Sequence, residues 1–132
     1  MFMALMPVSL LNKVELLERE AAEFGFQWET AAQIMKQISS ECAEVAEHLQ
    51  PENKGNRLAL QEEIGDLLHA VFSLCVYCQF SPKETLNQTL EKFDRRLQAV
   101  KTITQEKGLD NLQGQPFKEL MAIWDQAKDR VG

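Results

Sequence analysis

The chain has little that would tie it to a polyanion, a membrane or an oxidising compartment. Lys and Arg number 14 against 20 Asp and Glu, a net charge of −6. A nucleic-acid polymer or an anionic membrane is therefore not an expected partner. A small phosphorylated ligand stays open, because bound cations bridge an acidic protein and an anion. The three cysteines, Cys42, Cys75 and Cys78, are too few for a disulfide framework. Cys75 and Cys78 make a C-x-x-C, but it lies within the apolar run 67–80 with no second pair to complete a zinc site. That run contains His69 and is too short to span a bilayer. The N-terminal MFMALMPVSLL has no basic lead-in and is broken by Pro7, so no signal peptide is expected. Repeats, low-complexity tracts and linkers are absent too. The expectation is one soluble, cytoplasmic domain over residues 1–132.

Apolar alternation with period two is missing, and helix punctuation is frequent. Ser9 opens a first helix with Leu10, Val14, Leu17 and Ala21 along one face, stopped near Phe24 by Gly25. An aromatic turn, Phe24-Gly25-Phe26-Gln27-Trp28, follows. Thr30 and Gln33 form a capping box for a second helix that ends near Leu49, before Pro51. After a polar loop, a third helix is expected from about Arg57 to Gln79. Ser81, Pro82 and Glu84 supply N-cap, first-turn proline and third-position acid for a fourth, running to about Lys107 with Gly108 as its stop. Residues 109–115 read as loop, and Pro116 starts a short last helix to about Asp129. The fold class is all-α, a helical bundle of about four main helices plus a short C-terminal one.

What is present in excess is acid in register. Glu41 and Glu44 stand in SSECAEVAEHL, Glu63 and Asp66 in QEEIGDLLHAV. Each couple is spaced i, i+3, so both carboxylates share a helix face. Such couples are common on solvated faces, but their position here argues otherwise. At about 100° per residue, Glu41 lies about 20° from Ile34, at the edge of the apolar stripe Ile34, Ile38, Cys42, Val45 and Leu49. In the third helix the expected stripe is Leu60, Ile64, Leu67, Val71, Leu74 and Cys78, with Glu63 close to Leu67 and Leu74 in projection. One member of each couple is thus turned inward, where an unpaired charge costs several kcal/mol. A metal or a cationic side chain is needed to answer it, and four carboxylates suit a hard divalent ion, Mg²⁺ or Mn²⁺. Gly65, between two of the candidate ligands, marks a place where a helix or ligand comes close to the backbone.

The complementary charge is in EKFDRRL, where Lys92, Arg95 and Arg96 occupy i, i+3 and i+4 with Phe93 and Leu97 turned inward. Metal plus cations suits phosphoryl chemistry, in which phosphate charge must be neutralised as a P–O bond breaks.

Together these residues resemble the MazG family of nucleoside triphosphate pyrophosphohydrolases, whose metal signature is E-x-x-E followed, after a loop, by E-x-x-D. Here it reads Glu41-Cys-Ala-Glu44 and Glu63-Ile-Gly-Asp66. EREAAEFGFQWET is similar to the family's entry helix and G-F-D-W turn, EEIGDLLHAVFSL to its central helix, EKFDRRL to its K-F-x-R-R element, and GLDNL with MAIWDQAK to its C-terminal extension. The resemblance implies an all-α fold assembling as a homodimer or dimer-based tetramer. It also implies Mg²⁺-dependent hydrolysis of (deoxy)nucleoside triphosphates to monophosphate and pyrophosphate, with Mn²⁺ a substitute and nucleotide-pool housecleaning the role. Carried over by position, Glu41, Glu44, Glu63 and Asp66 are catalytic and hold the metal. Lys92 and Arg96 contact phosphates beside Arg95, Trp28 stacks on the base and Trp124 walls the site. Two positions depart from the family pattern. Leu90 stands where Asn is frequent, and Ala59 where a Lys occurs, a role that Arg57 or Lys54 would have to take. The general base is left among the four ligands, Glu47 and Glu62. A phosphoribosyl-ATP pyrophosphohydrolase, a dUTP- or dCTP-selective relative, or a non-catalytic metal- or partner-binding helical module are the competing readings.

Overall fold

A computed structural model describes residues 9–53 and 55–132, so the leader expectation on the first eight residues and the proposed role of Lys54 lie outside it. The described residues form five α-helices and no strand: α1 (Leu10–Glu23), α2 (Ala31–His48), α3 (Arg57–Tyr77), α4 (Pro82–Glu106) and α5 (Phe117–Val131), with a 3₁₀ turn at Pro51–Asn53. The all-α class and the helix order are as expected. No single helix among the described residues is long and apolar enough to cross a membrane.

The boundaries follow from local chemistry. Ser9 Oγ accepts from the Asn12 amide at 3.2 Å, satisfying one of the donors that a helix start leaves free. Thr30 and Gln33 close the expected reciprocal capping box, and the Glu84 amide donates to Ser81 Oγ at 3.2 Å. At the end of α1, Gly25 takes φ +97° while the Phe26 and Gly25 amides return to the Ala21 and Ala22 carbonyls. This is the paired closure that favours glycine at its left-handed position. α3 ends the same way without a glycine: Gln79 adopts φ +66°, and the Gln79 and Phe80 amides bond to the Val76 and Cys75 carbonyls. A residue with a Cβ is strained there.

The chain divides into two compact units, Met1–Thr85 and Leu86–Gly132. In the first, α3 packs mainly against α2 and also against α1. Its buried positions are Ile34 on α2, Ala70 and Ser73 on α3, and Pro82 at the start of α4. This corrects part of the expected stripe on α3: Leu60, Leu67 and Leu74 are half-buried, but Ile64 and Val71 are each 41% exposed and Cys78 is exposed too. The physical reason is that α3 is apolar round much of its circumference, and its small residues allow the closer helix approach. Glu63, Asp66, Ala70 and Ser73, spaced i, i+3, i+7 and i+10, share the packed side. Ile64, Leu68 and Val71 are left exposed on another face.

In the second unit, Ala99 and Ile103 of α4 pack with Ile123 and Ala127 of α5, flanked by Val100 and Leu112. Arg130 reaches back to Glu106 with two bonds of 2.8 and 2.6 Å, which hold the Glu106 carboxyl below its ordinary range.

Two measurements check this account. Ile123→Ala, at a fully buried side chain, should lower the unfolding free energy by about 2–5 kcal/mol in a denaturant titration. Gln79→Gly should raise it by about 1 kcal/mol, by relieving the left-handed backbone.

Candidate active site

The carboxylates are set by the α2–α3 pairing. On α2, Glu41, Glu44 and His48 follow at i, i+3 and i+7, one face of the helix. On α3, Glu63 and Asp66 lie one turn apart on the side that carries buried Ala70 and Ser73. The ligand-capable atoms of Glu41, Glu63 and Asp66 all fall within 4.8 Å of one another, and so do those of Glu44, His48 and Glu63. Glu63 belongs to both groups. Glu41, Glu63 and His48 are half-buried, whereas Glu44 and Asp66 are exposed.

The electrostatics follow from that crowding. Partial burial first, then the neighbouring charges of Glu44 and Asp66 and more weakly Glu41, push the Glu63 carboxyl above its ordinary value, with His48 opposing. Glu41 accepts from Gln37 Nε2 at 2.7 Å. Among the described residues of the first unit, no lysine or arginine forms an ion pair with any of the four acids. Oxygen donors clustered at this spacing with uncompensated negative charge fit a divalent cation. These acidic residues could form a metal site, and the imidazole of His48 adds a nitrogen donor beside it.

A groove of about 600 Å³ adjoins the cluster. Glu41 and Asp66 line it together with Trp28, Phe26 and Glu18, and a neighbouring space of about 550 Å³ shares Trp28, Phe26 and Glu18 and adds Tyr77. The reversal at Gly25 carries the chain from α1 into the aromatic turn. Tyr77 Oη donates to the Glu29 carbonyl at 3.2 Å, tying the residue after Trp28 to α3. Trp28 is half-buried in this setting.

The remaining predicted residues belong to the second unit. Lys92 and Arg95 are exposed on α4. Arg96 lies with its guanidinium carbon 5.6 Å from the centre of the Trp124 ring and donates through Nε to the Gly132 carbonyl at 2.9 Å. Phe93, expected to turn inward, is instead 50% exposed and sits 5.9 Å from Trp124, ring centre to ring centre. The predicted residues thus fall into two groups, each within one unit: Trp28 with the four acids, and Lys92, Arg95 and Arg96 on the helix that carries the partner of Trp124.

Gly65 is not crowded by a helix, since a Cβ built there meets nothing within 4 Å. Its missing side chain keeps the backbone between Glu63 and Asp66 open. Two participants were not singled out as site residues from sequence, His48 and Glu18. His48 had a local signal, its i+4 spacing from Glu44. Glu18 had none, because its partners His69 and Ser73 are 51 and 55 residues away.

Comparison with known proteins fits this geometry. Residues 29–101 match the MazG nucleotide pyrophosphohydrolase domain, and the chain belongs to that family. It is 26% identical over 121 residues to the nucleoside triphosphate pyrophosphohydrolase/pyrophosphatase MazG of Thermotoga maritima, covering 92% of this chain and 45% of that protein. With the nucleoside triphosphate pyrophosphohydrolase of Escherichia coli K12 it shares 27% identity over 118 residues, 89% of this chain and 44% of the relative. The chain thus spans less than half the length of the curated relatives it matches.

The crowding of Glu63 has a measurable sign. The native state binds more protons than the unfolded chain from the ordinary glutamate value of 4.5 up to the raised one, so metal-free stability should fall as pH rises through that window. Glu63→Gln should remove this fall and raise the metal-free melting temperature at neutral pH. The same substitution should shrink the rise in melting temperature that Mg²⁺ or Mn²⁺ gives the wild type, both followed by circular dichroism.

Proposed function

We propose that this chain hydrolyses (deoxy)nucleoside triphosphates to the monophosphate and pyrophosphate, with Mg²⁺ as the resident cation, Mn²⁺ as a substitute, and clearance of the cytoplasmic nucleotide pool as its role. The observation that carries the reading is the convergence of Glu41, Glu63 and Asp66, with Glu44 and His48 alongside, at a groove that also holds Trp28. Four acids on paired helices make poor sense as a solvated face when two are half-buried and none has a lysine or arginine partner among the described residues of its unit.

Glu41, Glu44, Glu63 and Asp66 would hold the divalent ion, which when bound supplies charge neutralisation for the triphosphate and acidifies a water. Trp28 offers a planar face on which a base stacks. Lys92, Arg95 and Arg96 carry the positive charge that departing pyrophosphate requires, and Trp124 holds Arg96 by its ring face. Water attacks a phosphorus in line with its leaving group, and its proton passes to a carboxylate of the cluster. Atoms balance as triphosphate plus water giving monophosphate plus pyrophosphate.

The working form in this reading is a homodimer or a dimer-based tetramer. Supporting it, Ile64, Leu68 and Val71 make an exposed apolar stripe at i, i+4 and i+7 on the helix that carries two of the acids.

Product analysis tests the activity. Purified protein with Mg²⁺ and a panel of common ribo- and deoxyribonucleoside triphosphates should release pyrophosphate and monophosphate but no orthophosphate. Glu63→Gln and Asp66→Asn should each reduce turnover at least 100-fold with helix content unchanged. Full activity in either variant would sink the assignment of these acids. Cation binding without turnover on any nucleotide would move the chain to a non-catalytic binding module.

A further inference from the structure

The groove beside the carboxylate cluster contains a fixed hydrogen-bond acceptor to which the proposed hydrolysis gives no task. Glu18, on α1, accepts through a single oxygen, Oε1, from Ser73 Oγ at 2.6 Å and from His69 Nε2 at 2.7 Å. A carboxylate only accepts, so both α3 side chains donate and together orient it. Ser73 is 4% exposed, which makes the inner of the two bonds a sheltered one. No donor among the described residues is bonded to Oε2, and no buried side-chain polar atom among them lacks a partner. Oε2 is therefore accessible from outside the fold. Glu18 lines both parts of the groove, as do Trp28 and Phe26, while Glu41 and Asp66 line the part nearer the acids.

A planar heterocycle resting on Trp28, with its phosphates toward Glu41 and Asp66, thus shares the groove with a carboxylate oxygen that is already aimed and still free. We propose that Glu18 selects the nucleobase: the groove takes bases that carry an exocyclic amino group, as adenine, cytosine and guanine do, over uracil and thymine. This rests on reading the groove as a nucleotide site. The chemistry is that of an acceptor meeting an edge. An amino group donates to Oε2. Uracil and thymine offer one ring N–H flanked by two carbonyl oxygens, and those oxygens meet the carboxylate with repulsion and leave it unpaired. An acceptor of full charge discriminates more strongly than a neutral one.

The alternative for Glu18 is a purely structural tie between α1 and α3, and one substitution separates the two. In Glu18→Gln the amide oxygen still accepts from Ser73 and His69, but the group exposed in place of Oε2 becomes an N–H donor. The pair dCMP and dUMP differ in the base by amino against carbonyl at one ring carbon and by the proton on the ring nitrogen beside it. Their affinities, measured by calorimetry without metal, read the base contact independently of hydrolysis. The wild type should bind dCMP roughly 10- to 100-fold more tightly than dUMP, and Glu18→Gln should reduce that ratio at least tenfold by strengthening dUMP. Pyrophosphate release from dCTP and dUTP with Mg²⁺ should follow the same ratios.

Equal affinities in the wild type, failure to bind either mononucleotide, or an unchanged ratio in a folded Glu18→Gln would each overturn the proposal. Should Glu18→Gln not fold, Ser73→Ala takes its place. It removes one of the two orienting bonds and should cut the ratio several-fold, and an unchanged ratio would again overturn the assignment. A base preference in binding with no turnover on any triphosphate would retire the hydrolase reading and leave this one standing. Turnover without base preference would do the reverse.

Discussion

Everything else in the first unit depends on four like charges being held together by the packing of α2 on α3. Left to themselves Glu41, Glu44, Glu63 and Asp66 repel, and partial burial first and that repulsion second push the Glu63 carboxyl upward. What opposes it is burial of Ile34 with Ala70 and Ser73. The last two are small, and small residues permit the approach that brings acids of two helices within 4.8 Å. Local stability is given up at such a place, as is usual where a fold keeps a binding function. A cation reverses the sign of the interaction, so the segment that is least content alone gains most from its ligand.

Sequence reading did well where the signal is local and chemical. The Ser9, Thr30 and Ser81 caps and the Gly25 stop are short-range hydrogen-bond or backbone requirements, and each stands where its residues said it would. The acidic couples were visible for the same reason, since i, i+3 spacing is set by the helix itself. Reading failed where periodicity loses contrast. With apolar residues around most of α3, the larger ones suggested the packed face, whereas the fold buries Ala70 and Ser73 and leaves Ile64 and Val71 of the expected stripe exposed. The end of α3 was expected at about Gln79 and falls at Tyr77, where Gln79 does a job that glycine announces elsewhere. Glu18 was invisible because nothing within a helical turn of it hints at His69 or Ser73.

The second unit shows a different economy of contacts. Its core is small, centred on Ile103 and Ile123, and charged groups supply much of its cross-helix bonding through Glu106 and Arg130. Arg96 is similarly engaged, its plane over Trp124 and its Nε on the Gly132 carbonyl. Only one of its five donors is committed by that bond. The guanidinium is therefore oriented without being saturated, the condition in which arginine binds phosphate oxygens with least loss of side-chain freedom.

The Glu18 contacts also bear on the order in which the unit assembles. Those to His69 and Ser73 close loops of 51 and 55 residues, whereas α2 and α3 are neighbours in sequence, joined by the short segment that holds the Pro51–Asn53 turn. Closing the longer loop costs more chain entropy, and the cost must be met before the contact rewards it. The helical pair that carries the acids can therefore form as a hairpin first, with α1 docking later to complete the aromatic groove. A chain caught between those steps would already have its acids paired across two helices while lacking the groove that Trp28 and Glu18 line. Pairing of the acids and completion of the groove are thus separable in time as well as in space.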